Sequence, residues 1–234
     1  VSKNKLQRFA EMKGFSNVIE PAFEEVFRKD HPYKGQWHQG VFGNGQPIVL
    51  ELGCGKGEYT VNMARRFPEY NFIGIDIKGA RMWKGAKQAL EEGLSNAVFL
   101  RTRIDFITSF FAPDEVDGLW ITFPDPQPKK PLKRLTSSRF LTRYQLFTRD
   151  KAPIHLKTDN PNVFGYTLAL VHANELPLLR AEEDIHATSR HDLEMVRNIT
   201  TFYEKQFIEE NKSIKYLAFR LTKNQSLTEP PDEE

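Results

Sequence analysis

The chain has 234 residues, 39% of them apolar and 27% charged, which is enough to bury a full core and suits one large domain rather than two. Its single cysteine, Cys54, excludes an internal disulfide framework and any cysteine-based zinc site, and agrees with a reducing, cytoplasmic compartment. No apolar run reaches the roughly 18 residues of a membrane span and the N-terminal VSKNKLQRFAEM lacks the apolar centre of a secretory signal, so a soluble protein with no membrane partner is expected.

In chain order, residues 1–45 are rich in charge, glycine and aromatics (HPYKGQWHQGVFGNGQP) without a sustained period. They read as a basic, partly irregular N-terminal arm with a short helix near Leu6 to Met12. From Pro47 onward, apolar runs of strand length alternate with amphipathic stretches of helix length: PIVLEL, NFIGID, AVFLRT, VDGLWITF and PIHLKTD, then Leu176 to Arg180 and KYLAFRL. Between them Tyr59, Met63 and Phe67 share one helical face, and Phe164, Leu168 and Val171 another. Asn160 followed by Pro161 reads as a helix start, an N-cap and then a residue lacking the already orphaned N–H. The alternation predicts an α/β fold, a doubly wound, mostly parallel sheet with helices on both faces, over residues 46–222, followed by an acidic tail at 223–234.

Four strand candidates end in or just before a carboxylate: Glu51, Asp76, Asp125 and Asp159. Singly, each could cap the helix that follows. Together they would share one rim, because ligands of open parallel sheets bind beyond the carboxyl ends of the strands. The first strand runs into Gly53, Gly55 and Gly57, with Cys54 between two glycines for its small size; a thiol nucleophile there has no identifiable base. The dinucleotide fingerprint G-x-G-x-x-G is not met, since Glu58 stands where its third glycine would fall. Several acids also oppose a diphosphate. A cationic ligand with ribose hydroxyls and no phosphate fits better, and S-adenosylmethionine is one. The turn Glu51-Leu52-Gly53-Cys54-Gly55-Lys56-Gly57 resembles the first motif of class I methyltransferases.

The net charge of +2 averages unlike segments. Residues 129–151 hold eight Lys or Arg and one acid, Asp150, and this cluster follows Asp125 closely, so it lies beside the presumed reaction centre and predicts a polyanionic acceptor. A solvated face is the plainer reading of such a run. The wider pattern, from about Lys34 to Tyr216, resembles the tRNA (guanine-N7-)-methyltransferase family through KGQWHQGVFGN, ELGCGKGEY, GIDIKGAR, PDPxPKK, HLKTDN and TTFYEKQF. The resemblance implies transfer of a methyl group from S-adenosylmethionine to N7 of a guanine in the variable loop of tRNA. It implies donor contacts from Glu51, the Gly53, Gly55 and Gly57 turn, Asp76, Asp105 and Asp125. It also implies substrate contacts from Lys129, Asp159, Thr201, Phe202, Tyr203 and Glu204. Two positions depart from the family pattern: Gln127 stands where an aromatic residue is usual, and Phe106 follows Asp105 where a small residue is usual.

Guanine N7 carries a lone pair and no proton, so Asp125 is expected to stabilise the developing purinium as the catalytic group rather than to act as a base. Asp159 and Glu204 would accept the guanine N1 and amine hydrogens, and Lys129, Lys130, Lys133 and Arg134 would grip phosphates. The histidines lack metal-ligand spacing and read as structural, so no metal is expected. The chain is expected to act as a monomer or homodimer. The alternatives are a methyltransferase for another RNA, a protein or a small molecule, a non-catalytic RNA-binding module, and a nicotinamide-dependent oxidoreductase.

Overall fold

Apolar runs flanked by amphipathic helices must bury both faces of a sheet, and the chain does so in two compact units, Val1–Val116 and Asp117–Glu234. The computed structural model describes residues 3–230. Among these residues each unit carries four strands.

The first unit comprises α1 (Lys3–Met12), β1 (Val18–Ile19), α2 (Phe23–Val26), β2 (Ile48–Leu52), α3 (Glu58–Arg66), β3 (Asn71–Asp76), α4 (Gly79–Glu91) and β4 (Ala97–Arg101). Its strand order is β1-β4-β3-β2, with neighbouring strands parallel throughout. Ile48, Leu50 and Leu52, on one face of β2, are fully buried, and on the other face Val49 is half-buried and Glu51 buried. In α3, Glu58 opens the helix while Arg65 and Arg66 close it, a charge order that complements the helix dipole. Tyr59 and Met63 are buried on its inner face, and Phe67 is the residue that ends it.

Within residues 3–45 the expected short helix is present, and beside it stand elements that the sequence pattern did not announce. The helix begins earlier than Leu6 and packs on α4, and Val18–Ile19 pairs with β4. The WHQGVF stretch, Trp37–Phe42, is a π-helical turn. Trp37 is buried, donates its indole N–H to the Phe110 carbonyl at 2.7 Å and stacks on Phe111. The buried Glu115 carboxylate accepts the N–H groups of Gly35, Trp37 and Ala112 at 2.9, 3.2 and 2.8 Å. A two-residue strand has no period to read, and a turn pinned by an acid some 80 positions away in sequence has no local signature.

The second unit comprises β5 (Gly118–Thr122), α5 (Ser138–Tyr144), β6 (Ala152–Thr158), α6 (Pro161–Ala173), β7 (Leu178–Glu182), α7 (Glu194–Asn198), α8 (Phe202–Glu209) and β8 (Lys215–Leu221). Its order is β5-β6-β8-β7, with β5 and β6 parallel and β8 antiparallel to both its neighbours. The Asn160 side chain accepts the Val163 N–H at 3.0 Å and Pro161 opens α6, as the sequence indicates. Phe164 and Val171 are buried, whereas Leu168 is half-buried and Val163 and Leu170 complete the inner face. Of the tail, Thr228 and Glu229 bond to Asn174, Ser138 and Tyr166, while residues 231–234 lie outside the described ones.

Candidate functional site

In the first unit the glycine turn links the end of β2 to α3. Gly53, Gly55 and Gly57 have φ of 78°, 55° and 70°, a left-handed backbone that glycine adopts without penalty. The Gly53 and Cys54 N–H groups both donate to the Ile75 carbonyl, which fixes the turn to the end of β3. At Gly57 a Cβ would lie 2.5 Å from Phe99 Cε1, so only glycine fits. At Gly55 a Cβ would meet little but the Gly53 carbonyl at 4.0 Å, so this part of the turn leaves room for a ligand to approach the backbone.

Asp76 faces this turn. Its Oδ2 accepts the Gly55 N–H at 2.9 Å and its Oδ1 accepts the Lys78 N–H at 2.7 Å. An ionised carboxylate has about four acceptor positions, so lone pairs remain for two ribose hydroxyls. Glu51 is buried, and its Oε2 accepts both the N–H and the hydroxyl of Thr60, at 2.9 and 2.5 Å, in the first turn of α3. It holds the helix against the turn. Asp105 lies half-buried in the 3₁₀ turn Ile104–Ser109, 3.5 Å from Arg103. The neighbouring Phe106 packs against Phe23 and Phe27. Burial, with Glu51 and Asp76 nearby, pushes the Cys54 thiol well above its usual range, so it is a small buried residue and not a nucleophile. The cradle therefore fits a ligand with vicinal hydroxyls and positive charge, which is what S-adenosylmethionine presents.

In the second unit Asp125 stands on an exposed loop after β5. Phe123 and Gln127, on either side of it, have φ of 48° and 43°, a conformation that side chains disfavour. The loop is held there by the Phe123 N–H on the Lys157 carbonyl at 2.7 Å and the Gln127 N–H on Asp125 Oδ1 at 3.2 Å. Lys129, Lys130 and Lys133 are exposed. Arg134 is not available to phosphate as expected: it is buried, donates to the Pro126 carbonyl at 3.0 Å and lies over the Tyr166 ring at 4.4 Å. It braces the basic loop instead.

Asp159, half-buried, directly follows β6. Thr201 is the N-cap of α8, its hydroxyl accepting the Glu204 N–H at 3.2 Å while Glu204 Oε2 accepts the Thr201 N–H at 3.4 Å. This is a capping box. Phe202 is exposed and Tyr203 half-buried. Glu204 corrects the sequence expectation of a direct guanine contact: its side chain is 0% exposed, with Oε2 2.8 Å from Lys157 Nζ and Oε1 3.1 Å from His186 Nε2. A carboxylate so enclosed cannot meet a base from solvent. Lys157 and His186 were missed by sequence reasoning, because only the fold brings β6 to the start of α8. Burial lowers the Lys157 ammonium from its usual range, against the opposing pull of Glu204. His155 is likewise structural, buried, stacked on Trp120 at 4.1 Å and hydrogen-bonded to the Tyr216 hydroxyl at 2.7 Å. Among the described residues no cluster of His, Cys, Asp or Glu could hold a metal ion, and no helix is long and apolar enough to cross a membrane.

Comparison with known proteins gives this arrangement its context. The family described as "Putative methyltransferase" matches residues 45–217. The tRNA (guanine-N(7)-)-methyltransferase of Bacteroides thetaiotaomicron is 47% identical over 98% of this chain and 90% of its own length. The protein of the same name from Christiangramia forsetii is 51% identical over 94% of this chain and 99% of its own. Among solved structures, the 16S rRNA methyltransferase KamB matches with a TM-score of 0.62 at 15% identity, covering 84% of this chain and 98% of that one, a likeness of fold alone.

Proposed function

The chain belongs to the tRNA (guanine-N7-)-methyltransferase family, and from that premise we propose that it transfers a methyl group from S-adenosylmethionine to N7 of a guanine in tRNA, within the variable loop. The observation that carries this is identity of 47% to a protein of that name across 98% of the chain. The cofactor supplies an electrophilic methyl on a sulfonium. Asp76 accepts the ribose hydroxyls, the Gly53 to Gly57 turn admits the ligand against bare backbone, Glu51 holds that turn rigid, and Asp105 makes a further donor contact.

Guanine N7 needs no proton removed, so the work of the acceptor residues is positioning and charge stabilisation. Asp125, aimed by a strained loop, meets the donor and the guanine ring; its carboxylate is favoured more as positive charge develops on the purine than before. Asp159 accepts the guanine N1 and amine hydrogens, a pairing adenine cannot satisfy, with Thr201, Phe202 and Tyr203 beside it and Glu204 acting through the α8 cap. The exposed Lys129, Lys130 and Lys133 hold phosphates. Holding N7 in line with the methyl group removes up to about 7–11 kcal/mol of entropic barrier in favourable cases. Each copy carries every residue named, so a monomer and a homodimer serve equally, in the cytoplasm where its substrate is.

Incubation with radiolabelled donor and unfractionated tRNA tests the reading. Label is expected at guanine N7, and Asp125→Ala should reduce kcat at least tenfold, about 1.4 kcal/mol, while tRNA still binds. Label elsewhere or absent from tRNA overturns the assignment, and an unchanged rate in Asp125→Ala removes Asp125 from the chemistry.

A further inference from the structure

Lys157 and Glu204 are each 0% exposed and lie 2.8 Å apart. The Lys157 ammonium also donates to the carbonyls of Val196 at 2.6 Å and Ile199 at 3.0 Å. Its three protons thus meet three acceptors in one closed pocket. Two of these acceptors end α7, where helix carbonyls lose their intrahelical partners; the third belongs to the capping box that starts α8. The same lysine stands two residues before Asp159, and its own carbonyl receives the Phe123 N–H of the Asp125 loop at 2.7 Å.

Replacing a buried ion pair by apolar residues of similar volume is often neutral or stabilising, so the pair by itself is weak evidence of a purely stabilising role. What the ammonium provides is direction: three fixed hydrogen bonds tie the α7–α8 junction to the end of β6.

We propose that Lys157 is a positioning residue for the methyl acceptor, setting where Thr201, Phe202 and Tyr203 stand relative to Asp159. This rests on the reading of those residues as acceptor contacts. It makes the junction after α7 the part of the second unit whose placement decides how well guanine is held, though no residue of that junction before Thr201 need touch it.

The test compares the parent with Lys157→Met, Lys157→Met/Glu204→Leu and Asp159→Asn, reading melting temperature, donor affinity by calorimetry, and kcat/KM for tRNA. Lys157→Met leaves a buried carboxylate unpaired and is expected to melt lower. The double variant removes both charges and is expected to melt above Lys157→Met but below the parent, since the Val196 and Ile199 carbonyls lose their donor and the Thr201 N–H its acceptor, while it binds donor as the parent does. Its kcat/KM for tRNA should nevertheless fall on the order of tenfold to a hundredfold, the scale of a misplacement of about 1 Å. Recovery of both melting temperature and kcat/KM in the double variant would show the pair to be scaffolding alone and overturn the inference. If Asp159→Asn leaves kcat/KM unchanged, the acceptor reading itself falls and the inference with it. A loss in Asp159→Asn with full activity in the double variant removes only the role of Lys157.

Discussion

His155 is buried against Trp120 and Tyr216, and burial lowers its imidazole from 6.5 to about 4. The unfolded chain therefore takes up a proton below about pH 6.5 that the folded ring refuses until about pH 4. The associated stability is fully present above pH 6.5 and is lost as pH falls from there to 4, a difference of about 3 kcal/mol at order of magnitude. Urea midpoints measured between pH 7 and pH 4 should fall accordingly. The His155→Phe/Tyr216→Phe variant, which keeps the aromatic stack and leaves no hydroxyl unpaired, should flatten the dependence. An equally steep fall in that variant would assign the acid sensitivity to other groups. Other single residues divide sharply between chemistry and architecture. Asp76 faces an approachable backbone, whereas Glu115, also a carboxylate, is enclosed by three N–H groups and holds the Trp37 turn.

At the scale of elements, helix starts carry much of the candidate acceptor arrangement. Asn160 caps α6 and Thr201 caps α8, and each follows the site residue or belongs to it. Thr201→Ala removes the hydroxyl that accepts the Glu204 N–H at 3.2 Å and should destabilise the protein by about 1 kcal/mol. Thermal melting would detect it; a melting temperature equal to the parent would mean that water caps α8 as well as threonine does. Both caps were legible: Asn-Pro before an apolar-faced stretch, and Thr-x-x-Glu before FIEE. Thr201 to Glu204 form a helix start closed by a capping box. The resemblance drew Glu204 towards the substrate, whereas its burial shows that it secures the helix. Strands β2 to β6 were legible because burial on both faces demands long apolar runs. By contrast β1 has only two residues and needs β4 beside it to be a strand at all.

Across the whole molecule, a net charge of +2 conceals the concentration of basic residues after β5. Affinity from lysine–phosphate contacts reflects release of bound counterions and falls steeply with salt. Replacing Lys129, Lys130 and Lys133 by glutamine should weaken tRNA binding and reduce the slope of log affinity against log salt by about two, at roughly 0.7 to 0.9 for each phosphate that is no longer neutralised. Filter binding across a salt series measures that slope. A slope equal to the parent would place the phosphate-binding residues elsewhere, while donor affinity should stay constant throughout.

The sequence by itself determined the alternation of strands and helices, the glycine turn with its acids, and the sign of the acceptor, because periodicity, backbone freedom and local charge are properties of neighbouring residues. Only the tertiary structure decided which charges face solvent. Arg134 was grouped with the binding residues by local charge and Glu204 by the family resemblance, yet one stacks on Tyr166 and the other pairs with Lys157 in a closed pocket. Whether a charge meets a ligand or a buried partner depends on segments brought together by folding, here Lys157 and Glu204, 47 positions apart along the chain.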